Sequence, residues 1–177
     1  MEDNKNSIEM IIYVSNLTKY NKGIHKWVEL DLMKPTQTKS KYDDFKKEHE
    51  GDALVISDTS MTYPLRVNKL DNIDFLLELA DNYFSKWSEE QIMVFCDLIN
   101  ELEWDWDDAS DKVNNYDYAL IEIGDYKSDE EAVGYYYADY LNIPDSIESY
   151  FDYESYGRDI LLETDNVTND NYVIIVY

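Results

Sequence analysis

The negative charge of this chain is not spread along it. Residues 1–69 carry 11 basic and 11 acidic side chains, whereas residues 70–177 carry 28 acidic ones against only Lys86, Lys112, Lys127 and Arg158. The whole formal charge of −24 therefore falls in the last 108 residues. Like charges at that density repel each other in any compact state, so the fold must keep its carboxylates in water and hold together by a core. Leu, Ile, Val and Phe supply that core with 45 of 177 residues, above the range of acidic disordered chains. A length of 177 residues allows one domain or a short row of very small ones.

This balance excludes several functions. With no surplus of Lys or Arg to replace phosphate counterions, direct nucleic-acid binding by a basic patch is ruled out, and proteins that bind DNA become the candidate partners. The single cysteine, Cys96, excludes an internal disulfide framework and a Cys-based zinc site, which points to a reducing compartment, the cytoplasm. The opening MEDNKNSIEM lacks the basic and apolar regions of an export signal, and no later stretch approaches the ~18 apolar residues of a membrane span.

Solvated helix faces normally interleave signs, because like charges four residues apart destabilise a helix. Here the compensating lysines are missing. Glu101, Glu103, Asp105, Asp107, Asp108 and Asp111 alternate with Trp104 and Trp106, and Lys112 is the only base that follows. Calcium is the obvious alternative use of such a run, but the window from Asp105 to Tyr116 puts Ser110 where an EF-hand needs Gly and Tyr116 where it needs a bidentate Glu. His25 and His49 have no metal-ligand spacing and read as exposed loop histidines. Without a Gly-rich phosphate loop or a nucleophile with its base, no catalytic constellation emerges; the expectation is a protein that is not an enzyme, with no cofactor and no metal site.

Periodicity gives a mixed α+β chain. Residues 8–14 and 26–32 read as strands, the second with Val28, Leu30 and Leu32 on one face, and Pro35 opens a polar helix through Lys47 before a third strand at 53–57. Ile73, Leu76, Leu77, Ala80 and Phe84 follow helical spacing, as do Ile92, Phe95, Ile99 and Leu102. Ser88 and Gln91 form a capping box for the second of these helices, with Trp87 placed to staple onto Ile92. A short acidic helix at 104–115 and a strand at 118–123 follow. Ser128 and Glu131 then cap a helix whose face is Val133, Tyr136, Tyr137, Tyr140 and Leu141, and 160–162 with 172–176 read as a hairpin around TDNVTNDN. The expected units are 1–67, a sheet plus helix; 68–115, helical; and 116–177, α/β. Twelve of the 17 tyrosines lie from Tyr116 onward, which suits a shallow core or a subunit interface.

Two stretches at opposite ends, IYVSNLTKYNKG at 12–23 and SYFDYESYGRDILLE at 149–163, together with YYYADYLNIPDSIESY at 135–150 and the final IVY, closely resemble the ArdA-type antirestriction proteins. The resemblance implies an elongated, curved chain of small α/β units that forms a homodimer, with carboxylates arranged along its surface like DNA phosphates. It further implies a protein of mobile genetic elements that inhibits type I restriction-modification enzymes by occupying the DNA groove of the methyltransferase core. Since duplex DNA carries one charge per ~1.7 Å of axis, 24 charges correspond to about 41 Å, or roughly 12 base pairs.

The expected partner-binding surface is Asp71, Asp74, Glu78, Asp81, Glu89, Glu90, Asp97, Glu101, Glu103, Asp105, Asp107, Asp108, Asp111, Asp125, Asp129, Glu130 and Glu131. Tyr153, Tyr156, Gly157, Arg158 and Asp159 carry the family motif and read as scaffold, with Arg158 pairing Asp159 or Asp152 and fixing a turn that Gly157 permits. The charge-balanced first 69 residues, with Lys39, Lys41, Lys46 and Lys47, depart from an acidic surface running the full length. Two other functions remain open at this stage. One is a DNA mimic aimed at another nucleic-acid-binding defence or regulatory protein; the other is an acidic metal-binding hydrolase or calcium-binding module.

Overall fold

A computed structural model describes residues 8–177. Among the described residues the chain is mixed α/β, with eight α-helices, one π-helical turn and two three-stranded antiparallel sheets. It divides into two compact units, Met1–Cys96 and Asp97–Tyr177.

The first unit is built on β1 (Met10–Asn16), flanked by β2 (Trp27–Asp31) and β3 (Leu54–Met61) in the order β2-β1-β3. Met10, Ile12, Val14 and Asn16 point inward from β1 with strand alternation, and Leu30 and Leu32 join them. Ile12 pairs with Leu30 and Val14 with Val28; on the other side a bulge between Tyr13 and Val14 shifts the register against β3. The short α1 (Leu17–Tyr20) is capped by buried Asn16, whose side chain accepts from the Lys19 amide and donates to Asp52 at 2.8 Å. Pro35 opens α2 (Pro35–Glu48), which buries Pro35, Thr38, Tyr42 and Phe45 and packs on β2.

His49 departs from the expected exposed loop. It follows α2 as a buried residue, edge-on to Phe45 at 4.6 Å between ring centroids, with Nδ1 3.0 Å from the Lys19 ammonium. The helical spacing that carries Tyr42 and Phe45 to the core carries position 49 there as well. His25 is exposed, as expected.

Helix α3 (Ile73–Leu79) runs into the π-helical turn Ala80–Phe84, and Ile73, Leu76, Leu77, Ala80 and Phe84 are all buried. Helix α4 (Glu89–Glu101) starts with the expected capping box: the Ser88 amide donates to Gln91 at 3.0 Å and the Gln91 amide to Ser88 at 3.2 Å. Trp87 is buried, stacked on Tyr83 and tilted against Phe84 and Phe95.

In the second unit α5 (Trp106–Asn115) leads to β4 (Tyr118–Glu122), and β5 (Asp165–Thr168) and β6 (Tyr172–Val176) complete a sheet of order β4-β6-β5. The central strand β6 buries Val173 through Val176. Helix α6 (Asp129–Ala138) covers the sheet with Ala132 and Val133, and α8 (Tyr153–Glu163) packs along α6. A single turn, α7 (Asp145–Glu148), lies between them.

Three expectations change here. Residues 160–162 are the end of α8 rather than a strand; the hairpin is β5 and β6, and Thr164 and Asn166 fix the exit from the helix by bonding to the Ile160 and Leu161 carbonyls. Helix α6 ends at Ala138, so Tyr140 and Leu141 lie beyond it and are exposed. Gly157 makes no turn: it is buried inside α8, facing α6. A Cβ on Gly157 would run into the Glu130 carbonyl and lie 2.6 Å from the Gly134 amide, and one on Gly134 would run into the Tyr153 carbonyl. The two glycines thus let two helix backbones touch, which no side chain at either position would permit.

Candidate partner-binding surface

Between Asp97 and Tyr177 the chain has 22 Asp and Glu and three Lys and Arg. Each of the three cations is engaged locally. Lys112 donates to the Tyr177 carbonyl oxygen and sits 3.8 Å from Asp117, and Lys127 pairs with Glu131 at 3.3 Å. Arg158 donates to the Ser155 hydroxyl at 3.0 Å, and that hydroxyl donates to Asp152 at 2.8 Å. The expected pairing of Arg158 with Asp152 is thus made through Ser155, whose amide also donates the N-cap bond of α8 to the Asp152 carboxylate. Hydrogen bonds from the Ser155 amide and hydroxyl, and to a lesser extent the Arg158 charge, hold the Asp152 carboxyl below its ordinary value.

The acidic run 101–111 follows from helix capping. Asp105 is the N-cap of α5, accepting from the Asp108 amide at 2.9 Å, and Asp107 and Asp108 fill the first turn, where the helix dipole favours negative charge. Ala109, Ser110 and Val113 turn inward, which sends Asp107, Asp108 and Asp111 to the opposite side. Four residues of helical rise separate Asp107 from Asp111 by ~6 Å along the axis. Glu101, Glu103, Asp105, Asp107, Asp108 and Asp111 are all exposed, while Trp104 and Trp106 are half-buried. Glu103, in the connection between α4 and α5, has a positive φ of 55°, uncommon for a residue with a side chain.

None of the other expected surface carboxylates is buried, yet several have local tasks. In the first unit Asp74 pairs with Lys46 at 3.0 Å, Asp71 accepts from the Asn68 amide, and Glu89 accepts from the Tyr63 hydroxyl at 2.7 Å. Burial and that bond push the Tyr63 phenol up to about 12. Glu78, Asp81, Glu90 and Asp125 are exposed. Glu131 does not close the expected box on Ser128; its carboxylate reaches one residue further, to the Lys127 amide at 2.8 Å, while the Ser128 hydroxyl caps the Glu131 amide. Asp129 is held above its ordinary value by its contact with Glu130 and then by partial burial.

Asp97 is half-buried on α4 and accepts from the Tyr172 hydroxyl at 2.7 Å. Burial pushes its carboxyl up, against the opposing pull of the tyrosine bond. A carboxyl whose native value is raised binds its proton more tightly folded than unfolded, so its contribution falls as pH rises from about 3.8 through the raised native value. Asp97→Asn keeps an acceptor for Tyr172 without the charge. The variant is expected to melt higher than the parent at pH 7, with the gain vanishing toward pH 3–4, as thermal denaturation followed across pH will show.

The motif residues all lie on α8. Tyr153 stacks on Tyr135 at 3.8 Å between ring centroids, Phe151 meets Tyr153 and Tyr156 edge-on, and Asp159 is exposed. Sequence reasoning missed the crossing at Gly134, the Ser155 relay and the Tyr172 bond. A glycine inside each of two helical patterns was the available signal for the first. It also chose acidic clusters and passed over isolated acids that are equally exposed, among them Glu122, Glu154, Glu163, Asp165 and Asp170. Among the described residues no three His, Cys, Asp or Glu side chains converge on a point where they could hold a metal ion, and no helix is long and apolar enough to cross a membrane.

Two small antiparallel sheets with short helices make a mixed α/β protein, and the exposed carboxylates of its second unit lie among cations that are each engaged locally. The antirestriction protein (ArdA) family model matches residues 12–174, and the chain belongs to that family. Its function is accordingly antirestriction, directed at restriction-modification enzymes. No curated protein matches the chain.

Proposed function

We propose that this chain inhibits type I restriction-modification enzymes by presenting its carboxylates as a stand-in for DNA phosphates in the groove of the methyltransferase core. It acts as a homodimer in the cytoplasm of a bacterial host, as three small units 1–67, 68–115 and 116–177, and carries out no catalysis. The observation that carries this reading is the unit Asp97–Tyr177, with 22 acids and three cations that are all engaged. A groove that binds DNA is lined with cations, and such a surface supplies the complementary field. A preformed protein surface also avoids the deformation energy that bent DNA costs, several kcal/mol at ~40–90° of bend.

Transfer of an unmodified plasmid tests the target class. Expression of the protein in the recipient is expected to restore transfer into a strain with an active type I system and to change nothing in a strain lacking one. Equal protection in both strains would redirect the mimic to another DNA-handling protein.

A further inference from the structure

One segment of the chain has the opposite chemistry to its acidic surface. From Met10 to Val28 there is no Asp or Glu, while Lys19, Lys22, His25 and Lys26 are interleaved with Tyr20, Ile24 and Trp27. Lys19 is drawn in toward His49, but Lys22 and Lys26 are exposed, and no carboxylate pairs with either among the described residues. Tyr20, Ile24 and Trp27 are 55%, 49% and 57% exposed, high values for large apolar side chains. The tip is built rather than loose. Tyr20 lies edge-on to His25 at 5.3 Å, Trp27 lies edge-on to Tyr13 at 5.7 Å, and Gly23 turns the chain at φ 76°. Exposed Glu29 follows Trp27 by two residues on β2, while Glu50 and Asp52 lie on the connection into β3, and Asp52 is held by Asn16.

We propose that this cationic, aromatic tip docks on the acidic stretch 101–111 of a second copy of this chain, giving a weak head-to-tail association. The two surfaces match in charge and in pattern: lysines between exposed aromatic rings on one, carboxylates beside Trp104 and Trp106 on the other. Ion pairs and lysine-to-indole contacts form together in such a pairing. A nucleic-acid occupant is disfavoured because phosphate would approach a chain of charge −24. A tip of about ten residues offers less than the ~800 Å² per partner of a stable interface, so the association is transient and concentration-dependent. Being heterologous, it leaves a free tip and a free acidic stretch on every assembly and extends by further copies.

Sedimentation velocity on the purified full chain, without any target enzyme, tests this separately from the antirestriction reading. At about 20 mM salt the sedimentation coefficient is expected to rise with concentration, and the rise is expected to vanish by about 0.5 M. Lys22→Glu with Lys26→Glu should abolish the rise, and so should Asp107→Lys with Asp111→Lys. Mixing the two variants should restore it, since each then supplies the charge the other lost; restoration also shows that both are folded. A size step common to every variant and unchanged by salt belongs to a different interface. No salt-sensitive rise in the parent, or a mixture that fails to associate, would overturn the proposal. So would a labelled single-stranded oligonucleotide that binds the parent and is lost with the Lys22 and Lys26 substitutions.

Discussion

Neutralising Glu101, Asp107, Asp108 and Asp111 together is expected to weaken inhibition of the target enzyme by about four- to several-hundred-fold. Each exposed charge pair contributes about 0.2–1 kcal/mol and each 1.4 kcal/mol is a decade, so four losses compound while one alone costs at most about fivefold. The four are chosen because they are exposed and carry no capping duty. Asp105 is left intact because its carboxylate caps α5, and Glu103 because its backbone has a positive φ. Loss of Asp107 and Asp108 weakens the dipole interaction at the start of α5, but loss of the Asp107–Asp111 repulsion offsets it, so melting temperature should scarcely move. Inhibition titrations across the four single and the combined Asn and Gln variants check this. A single substitution that abolished inhibition would signal a specific site, such as a metal or catalytic carboxylate, in place of a distributed field.

Replacing Gly157 by alanine is expected to have the largest effect on stability. By helix propensity alone the change should stabilise α8 by up to ~1 kcal/mol. Contact geometry gives the opposite sign: the new Cβ would meet the backbone of α6 at the Glu130 carbonyl and the Gly134 amide, and backbone cannot swing aside as a side chain does. The expected cost is about 3 kcal/mol or more, a lowering of melting temperature by roughly 10–20 °C for a unit of this size. Near-ultraviolet circular dichroism should lose the signal of the Tyr135–Tyr153 stack in the same transition. An alanine variant as stable as the parent would mean that α6 and α8 do not cross at these glycines.

Most elements were legible because their signals are local. The alternation of Met10, Ile12 and Val14, the spacing of Ile92, Phe95 and Ile99, and the reciprocal Ser88–Gln91 bonds depend only on residues close in sequence. The failures are tertiary. Gly157 resembles a turn glycine until α6 is known to lie against it, and 160–162 resembles a strand because a half-buried helix end and a short strand share an apolar run. His49 was misplaced because a lone histidine after a polar helix gives no sign that the next helical position points to the core. The site shows the same division. Exposure of the 101–111 carboxylates follows from charge and capping, whereas the bond of Asp97 to Tyr172 joins residues 75 apart and has no local trace.

The central claim, that the carboxylate field replaces DNA at its target, is tested most directly by competition. The purified protein is titrated into a type I methyltransferase bound to a labelled target duplex, at about 50 mM and 200 mM salt. Displacement of the duplex at near-stoichiometric protein, requiring more protein as salt rises, is the expected result. A duplex that stays bound at every ratio, or a displacement indifferent to salt, would contradict the claim.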